Sequence, residues 1–382
     1  MTFPSAVPVL TDGVVTLRAH REEDVEDLLE QALDPLMVEW TTVPVPSTIE
    51  TSRVFATQII PAGWETGTSW AFAVQAVDGA GRERFAGTVE LRHESDHRAE
   101  IAYAAHPWAR GRGPMERACR LAMKWAFEVQ QVETIIWWAN RGNWASRRLA
   151  WRLGFSCDGT LARWLPQRGR LLDAWVGTLG ASEERTPRNP WYDVPNVTGR
   201  SIALRPYLPT DPDRIVQACA DERTAYWLSR MPQPYTRADA EEYVLRRREV
   251  AAEGSALHWA VADPATDELI ANIALFDIVP GHGAEIGFWT HPEARGRGVM
   301  TEACGLVVRH AFVPVEDGGL GLERVAVRAS EGNSASRRVI EANGFVEVGR
   351  DRRGTRLRDD RLVDSITYDL LREEWSGLRD QV

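Results

Sequence analysis

The stretch that decides the fold reads Ala99-Glu-Ile-Ala-Tyr-Ala-Ala-His-Pro-Trp-Ala-Arg-Gly-Arg-Gly-Pro-Met115, and the chain carries it twice. The second copy is Ala284-Glu-Ile-Gly-Phe-Trp-Thr-His-Pro-Glu-Ala-Arg-Gly-Arg-Gly-Val-Met300. In both, a strand-like run ends at His-Pro, a turn of arginine and glycine follows, and a helical pattern begins. His97, Glu100, His106, Arg110, Gly113, Met115 and Cys119 correspond to His282, Glu285, His291, Arg295, Gly298, Met300 and Cys304. Chance does not produce such a pair of ordered blocks, and the chain is therefore a duplicated domain.

Working outward, a second block repeats as well. Asn143-Trp-Ala-Ser146-Arg-Arg leads to Gly154-Phe155, and Asn333-Ser-Ala-Ser336-Arg-Arg leads to Gly344-Phe345. Extra residues around Glu316–Gly321 account for the shift in spacing. Upstream, Thr16-Leu17-Arg18 and Ala203-Leu204-Arg205 each open a short strand, and each half then reaches a Trp and a Pro-x-Pro. Strand-like runs at 69–76, 86–91 and 98–105 have partners at 258–262, 269–276 and 284–290. An amphipathic helix with Ala118, Leu121, Ala122, Trp125 and Ala126 on one face follows the turn. A β-rich run, a helix from Asn143 or Asn333, and a final hairpin complete each half. Alternating strands and helices with hairpins at both ends predict a mixed α/β sheet in each. The expected domains are 1–183 and 200–382, joined by a polar, proline-punctuated linker at 184–199.

Composition agrees with two soluble domains. The chain has 382 residues, 44% of them hydrophobic and 26% charged, which is enough to build two cores. No apolar run is long enough to span a bilayer, and Met1–Leu10 has no secretory pattern, so a cytoplasmic protein without membrane partners is expected. A formal net charge of −10 argues against nucleic acid as a partner and is compatible with a cationic, amine-bearing substrate. The four cysteines, Cys119, Cys157, Cys219 and Cys304, form no metal-binding spacing; small buried hydrophobes are expected, and no metal.

The turn suits a phosphate. Gly296 and Gly298, like Gly111 and Gly113, let the backbone turn sharply, and the helix that follows offers unsatisfied N–H groups at the positive end of its dipole. The lysine of a Walker loop and the third glycine of a dinucleotide fingerprint are both missing. The strand–turn–helix resembles the acyl-CoA pyrophosphate loop of the GNAT superfamily, Arg/Gln-x-x-Gly-x-Gly/Ala. The Asn-x-x-Ser with its Gly-Phe resembles that superfamily's second motif, particularly in the ribosomal-protein alanine acetyltransferase branch.

The resemblance implies two tandem acyl-CoA N-acyltransferase domains using acetyl-CoA as co-substrate. CoA is expected along Phe288, Trp289, Thr290 and His291, at Arg295, Gly296, Arg297, Gly298, Val299 and Met300, and near Asn333. The N-terminal equivalents are Arg110, Gly111, Arg112, Gly113, Met115 and Asn143. Glu285 and Glu100 stand where such enzymes place a base, acting directly or through a water; a half-exposed strand carboxylate is the competing account. Ser336 and Ser146 match the serine that stabilises or protonates the leaving thiolate, with helix capping as the alternative. The family's tyrosine acid is replaced by Ala150 and Ile340. His97 and His282 are candidates for assistance or plain surface-loop residues. Pro114 removes one N–H from the first loop, so the C-terminal copy is the favoured catalytic domain.

The expected reaction is direct attack of a primary amine, on a small molecule or a peptide N-terminus, in a ternary complex. A CoA-binding sensor without turnover and a mycothiol-type acetyltransferase are the rival readings. Homodimer formation is left open. The tryptophans concentrated in the first half suit a core as well as an aromatic pocket. The arginines of 350–361, interleaved with Asp351, Asp359 and Asp360, suit a salt-bridged turn.

Overall fold

A computed structural model describes residues 6–377. The chain packs as two compact units that divide after Arg188.

The first unit is built on eight strands: β1 (Leu10–Thr11), β2 (Val15–Arg18), β3 (Ser69–Val77), β4 (Glu83–Ser95), β5 (Arg98–Ala105), β6 (Thr134–Asn140), β7 (Gly159–Gln167) and β8 (Arg170–Gly180). Their order in the sheet is β1-β2-β3-β4-β5-β6-β8-β7. All neighbours are antiparallel except β5 and β6, which run parallel. The parallel pair needs a crossover, and α5 (Pro114–Glu128) supplies it. The other helices are α1 (Val25–Leu33), α2 (Pro35–Trp40), α3 (Ile49–Val54), α4 (Ile60–Thr66) and α6 (Trp144–Arg152).

The second unit repeats this plan. Its strands are β9 (Val197–Thr198), β10 (Ala203–Arg205), β11 (Ala256–Ala262), β12 (Leu269–Val279), β13 (Gly283–Thr290), β14 (Arg324–Ser330), β15 (Val346–Arg356) and β16 (Leu362–Leu371). Read from β9, their order is β9-β10-β11-β12-β13-β14-β16-β15, the same as in the first unit. Its helices are α7 (Asp211–Ala220), α8 (Glu222–Trp227), α9 (Arg237–Ala252), α10 (Val299–Phe312) and α11 (Ser334–Ala342). Both sheets are mixed, as the duplicated pattern predicts.

Burial explains the central elements. In α10, Val299, Ala303, Val307 and Ala311 recur every turn and are all buried against the sheet, and Ala118, Ala122 and Ala126 do the same in α5. Small residues at these positions let each helix lie close to the strands. The first core is aromatic: Trp64, Phe72 and Trp70 each pack on Trp125, with ring centroids 5.9, 5.5 and 5.2 Å away. The second relies on aliphatic residues such as Ile273, Val307 and Val325, so most tryptophans of the first half serve packing. A buried ion pair also recurs, Arg18 with Asp24 at 2.7 Å and Arg205 with Asp211 at 2.8 Å.

The stretch 184–199 is not a free linker. On its first side, Arg188 donates to the Gly154 carbonyl at 2.7 Å. On its second side, the Tyr192 N–H bonds the Ala251 carbonyl, and Tyr192, Val194 and Val197 pack on the second core. Val197–Thr198 forms the edge strand β9 on Ala203–Leu204. Prolines there exclude helix but tolerate an edge strand, which is why composition alone suggests a loop.

Candidate active site

The parallel strand pair of each unit comes apart half-way along. In the second unit the β13–β14 ladder ends at Ile286 and Val327. Gly287–Thr290 then keep only β12 as a partner, while Arg328–Ser330 keep only β16. The first unit does the same beyond Ile101 and Trp137. A splayed sheet leaves one edge of peptide N–H and C=O groups without protein partners, and such groups seek a hydrogen-bonding ligand. Each gap opens into a cleft, of 790 Å³ in the second unit and 560 Å³ in the first.

The helix N-terminus forms the floor of each cleft. Gly298 (φ 76°) caps α10, and Gly113 (φ 92°) caps α5. A Cβ added at either would meet no atom within 4 Å. Glycine is therefore required by the left-handed backbone and not by crowding, and the space beside the turn stays open. Neither cap has a side-chain partner, so the first N–H groups of these helices are left for a ligand.

The arginine that begins each turn has a structural task. Arg110 binds Asp34 at 2.7 Å, and Asp34 also caps α2 by accepting from Leu36 and Met37. This contact holds the Asp34 carboxyl below the usual carboxylate range. Arg295 binds Asp221, the cap of α8, and donates to Thr224 Oγ1 at 2.7 Å. Both arginines thus brace the turn against the first helical hairpin of their unit, leaving the backbone to face the cleft.

The second cleft brings together Glu285, Phe288, Trp289, Thr290, Arg295, Gly296, Gly298, Val299, Met300, Asn333 and Ser336. Two expected residues are elsewhere. His291 is buried and does not line the cleft; its Nδ1 accepts from the Glu293 N–H at 3.4 Å, and its Nε2 has no hydrogen-bond partner among the described residues. Arg297 is exposed and does not line the cleft. The first cleft gathers Glu100, Arg110, Gly111, Gly113, Met115, Asn143 and Ser146, but not Arg112. His97 and His282 do not line the clefts; their carbonyls cap the starts of β6 and β14.

The carboxylates sit alike. Glu285 lies 3.3 Å from Arg328, with its side chain 16% exposed. Glu100 lies 3.2 Å from Arg92, also at 16%. In both, burial raises the carboxyl pKa above its ordinary value, and the arginine only partly opposes that. A carboxylate held in this way is a better base near neutral pH than a free surface glutamate.

The serines differ. Ser146 Oγ accepts from Trp137 Nε1 at 3.1 Å and shares a hydrogen bond of 3.0 Å with the Tyr103 hydroxyl. In the second unit Phe288 replaces Tyr103 and Val327 replaces Trp137. Ser336 Oγ, which lines the cleft, has no hydrogen-bond partner among the described residues. Asn143 and Asn333 are helix caps: each Oδ1 accepts from the serine N–H at 3.2 Å, leaving the amide NH2 for a ligand.

Sequence reading also passed over several residues. Arg148 and Arg338, the second arginine of each Asn-x-x-Ser-Arg-Arg, line their clefts, and the repeat itself was the signal. Glu116 lines the first cleft at the third helical position, where the second unit has Thr301. The final hairpin closes one side: Gln167 donates to the Glu39 and Thr41 carbonyls, and Arg358 to those of Ala225 and Met231. Elsewhere in the 350–361 stretch Arg361 pairs with Asp359 at 2.7 Å and Arg356 with Asp360 at 3.3 Å, while Arg350 reaches Glu331 and Asp364.

A splayed parallel pair beside a glycine-capped helix is the arrangement the loop motif implies, and comparison with known sequences decides its family. The description "Acetyltransferase (GNAT) domain" matches residues 15–156 and again 201–346. The chain belongs to this family. The putative ribosomal N-acetyltransferase YdaF of Bacillus subtilis is 40% identical over 94 residues, 25% of this chain and 48% of that protein. The match thus spans about half of that relative's length. The probable N-acetyltransferase YjcK of the same organism is 27% identical over 164 residues, 42% of this chain and 88% of that one. A solved GCN5-related N-acetyltransferase from Brucella melitensis is 27% identical with a TM-score of 0.42, covering 50% of this chain and 85% of that one. This GNAT chain therefore carries two copies of the domain. Among its described residues, no helix is long and apolar enough to cross a membrane.

Proposed function

We propose that the second unit transfers an acetyl group from acetyl-CoA to a primary amine of a small molecule or a peptide or protein N-terminus. The observation that carries the proposal is the open strand edge at Gly287–Thr290 leading onto the glycine-capped end of α10. The pantetheine amides would pair with that edge, and the pyrophosphate would meet the helix N–H groups, with Arg338 as a neighbouring cation. Glu285, kept basic by burial, takes the ammonium proton directly or through a water. The amine nitrogen then forms the new bond to the thioester carbonyl carbon. As the carbon–sulfur bond breaks, Ser336 Oγ passes its proton to the departing thiolate and takes up the one that the amide-forming nitrogen sheds.

The ribosomal acetyltransferase among the relatives favours a protein N-terminus as acceptor. The first unit is the weaker partner, because Pro114 lacks an N–H and Glu116 sets a carboxylate by the phosphate position. Four arginines accompany one carboxylate in the second cleft, against four with two in the first. A polyanion such as CoA prefers the second.

The test is release of free CoA from acetyl-CoA in the presence of an amine and peptide panel, with acetylated acceptors identified by mass spectrometry. Acceptor-dependent CoA release, abolished in Glu285→Gln, is the expected result. CoA binding with no acetylated product from any acceptor would favour the sensor reading instead.

A further inference from the structure

The first unit contains a cluster that its cleft does not use. The His106 side chain is completely buried, and neither ring nitrogen has a hydrogen-bond partner among the described residues. A buried imidazole without a partner is costly, so this arrangement needs an explanation. Its Nε2 is aimed between two carboxylates of α1, 3.8 Å from Asp27 Oδ1 and 3.7 Å from Glu30 Oε2. Both are too far for a hydrogen bond.

We propose that His106, Asp27 and Glu30 form a binding site for one divalent metal ion of the zinc class, present in the first unit alone. The three donor atoms lie within 4.8 Å of one another. Ligands at zinc distances in a tetrahedron stand roughly 3.4 Å apart, so the two separations from His106 need to close by only a few tenths of an ångström, and the carboxylates by at most about 1.4 Å. One imidazole with two carboxylates suits zinc and its first-row neighbours better than calcium or magnesium. Two carboxylates balance the ion's charge, and the 62% exposure of the Glu30 side chain leaves room for water as a fourth ligand.

The ion would tie α1 to the His-Pro turn just ahead of the phosphate loop, as a structural brace. In the second unit, the same step along the helix from the buried Arg–Asp pair reaches Arg214 in place of Asp27 and Gln217 in place of Glu30. Arg214 binds Glu293 at 2.9 Å, and among the described residues the ring of His291 faces one carboxylate, Glu293 at 3.6 Å, in place of a pair.

Arg84 gives the proposal a distinctive sign. Its Nη2 lies 2.9 Å from Asp27 Oδ1, the oxygen that faces His106, and 4.0 Å from Glu30 Oε2, and its guanidinium also rests over Trp108. A metal ion must displace it. Removing this arginine therefore frees a ligand and should strengthen metal binding, whereas removing Glu30 should weaken it.

The test is equilibrium dialysis of the untagged full chain against Zn²⁺, with Co²⁺ as a spectroscopic probe. We expect one Zn²⁺ per chain and a visible Co²⁺ band of low coordination number. Glu30→Gln, at an exposed position that folding tolerates, removes a direct ligand and should lower affinity by at least the ~10–100-fold that losing a ligand's outer partner costs. Arg84→Gln should raise it, and zinc should increase the Tm of the unaltered chain but not of Glu30→Gln. Absence of a stoichiometric site, or unchanged affinity in Glu30→Gln, overturns the proposal. Failure of Arg84→Gln to bind more tightly overturns the assignment of Asp27. None of these outcomes depends on catalysis, so the metal site and the transferase reading stand or fall separately.

Discussion

The two clefts share their frame and differ in the side chains that fill it. Each has a splayed parallel pair, a left-handed glycine capping a helix, a half-buried glutamate raised in pKa, and an asparagine-capped Ser-Arg-Arg helix. Yet Ser146 is held by Tyr103 and Trp137, while Ser336 is unengaged. Position N1 is Pro114 in one helix and Val299 in the other, and the third position is Glu116 against Thr301. Duplication preserves what the backbone needs and leaves the ligand-facing groups free to diverge. The second unit keeps an N–H at the first helical position and a serine hydroxyl open to the cleft; the first has a proline there and its serine hydroxyl bonded to Tyr103 and Trp137.

The largest expected contrast is at the glutamates. Glu285→Gln should reduce kcat by about 10²–10⁴, the usual contribution of a general base, measured as acceptor-dependent CoA release. Glu100→Gln should leave turnover unchanged. Equal losses at both would mean two working sites.

The serines sharpen the comparison, because the same substitution should act on different properties. Ser336→Ala is expected to lower kcat at least ~10-fold with an unaltered Tm. Ser146→Ala should spare turnover but destabilise the chain by about 1–3 kcal/mol in denaturant titrations, since it strands the Trp137 N–H, while Tyr103 keeps its bond to the Ser146 carbonyl. A catalytic defect in Ser146→Ala would show that its hydrogen-bond network serves chemistry.

A smaller effect concerns pH. Burial raises the Glu285 pKa and Arg328 partly lowers it. Activity requires the ionised base, so the rate should rise with pH through that raised value. Arg328→Gln removes the lowering influence, and the acidic limb of the kcat/KM profile should move to higher pH. A move to lower pH, or none, would show that another group sets this limb.

How much of this could be read in the sequence depended on the range of the interactions. The strands and the loop were legible because residues 99–115 and 284–300 carry their pattern locally, and repetition removed the ambiguity. The glycine cap, the asparagine cap and Pro114 were likewise visible, since their roles depend on near neighbours. Trp137 and Tyr103 meet Ser146 only through the sheet, so that network left no trace in spacing. The same holds for His106 with Asp27 and Glu30, which lie on different elements far apart in the chain. Residues 184–199 read as a linker because Tyr192, Val194 and Val197 are scattered among prolines, and only the second core shows what these three cover.

The central claim, that the two copies of the loop are unequal for a phosphate ligand, is tested most directly by calorimetric titration of the intact chain with CoA. A lost hydrogen bond to a charged group is worth about 1.5–3 kcal/mol, or roughly tenfold or more in affinity. The account predicts one strong site per chain and a second at least ~10-fold weaker. The strong site should be lost in Gly298→Val, which cannot hold the φ of 76° without strain, and kept in Gly113→Val. Two equal sites, or a strong site that survives Gly298→Val and disappears in Gly113→Val, would contradict it.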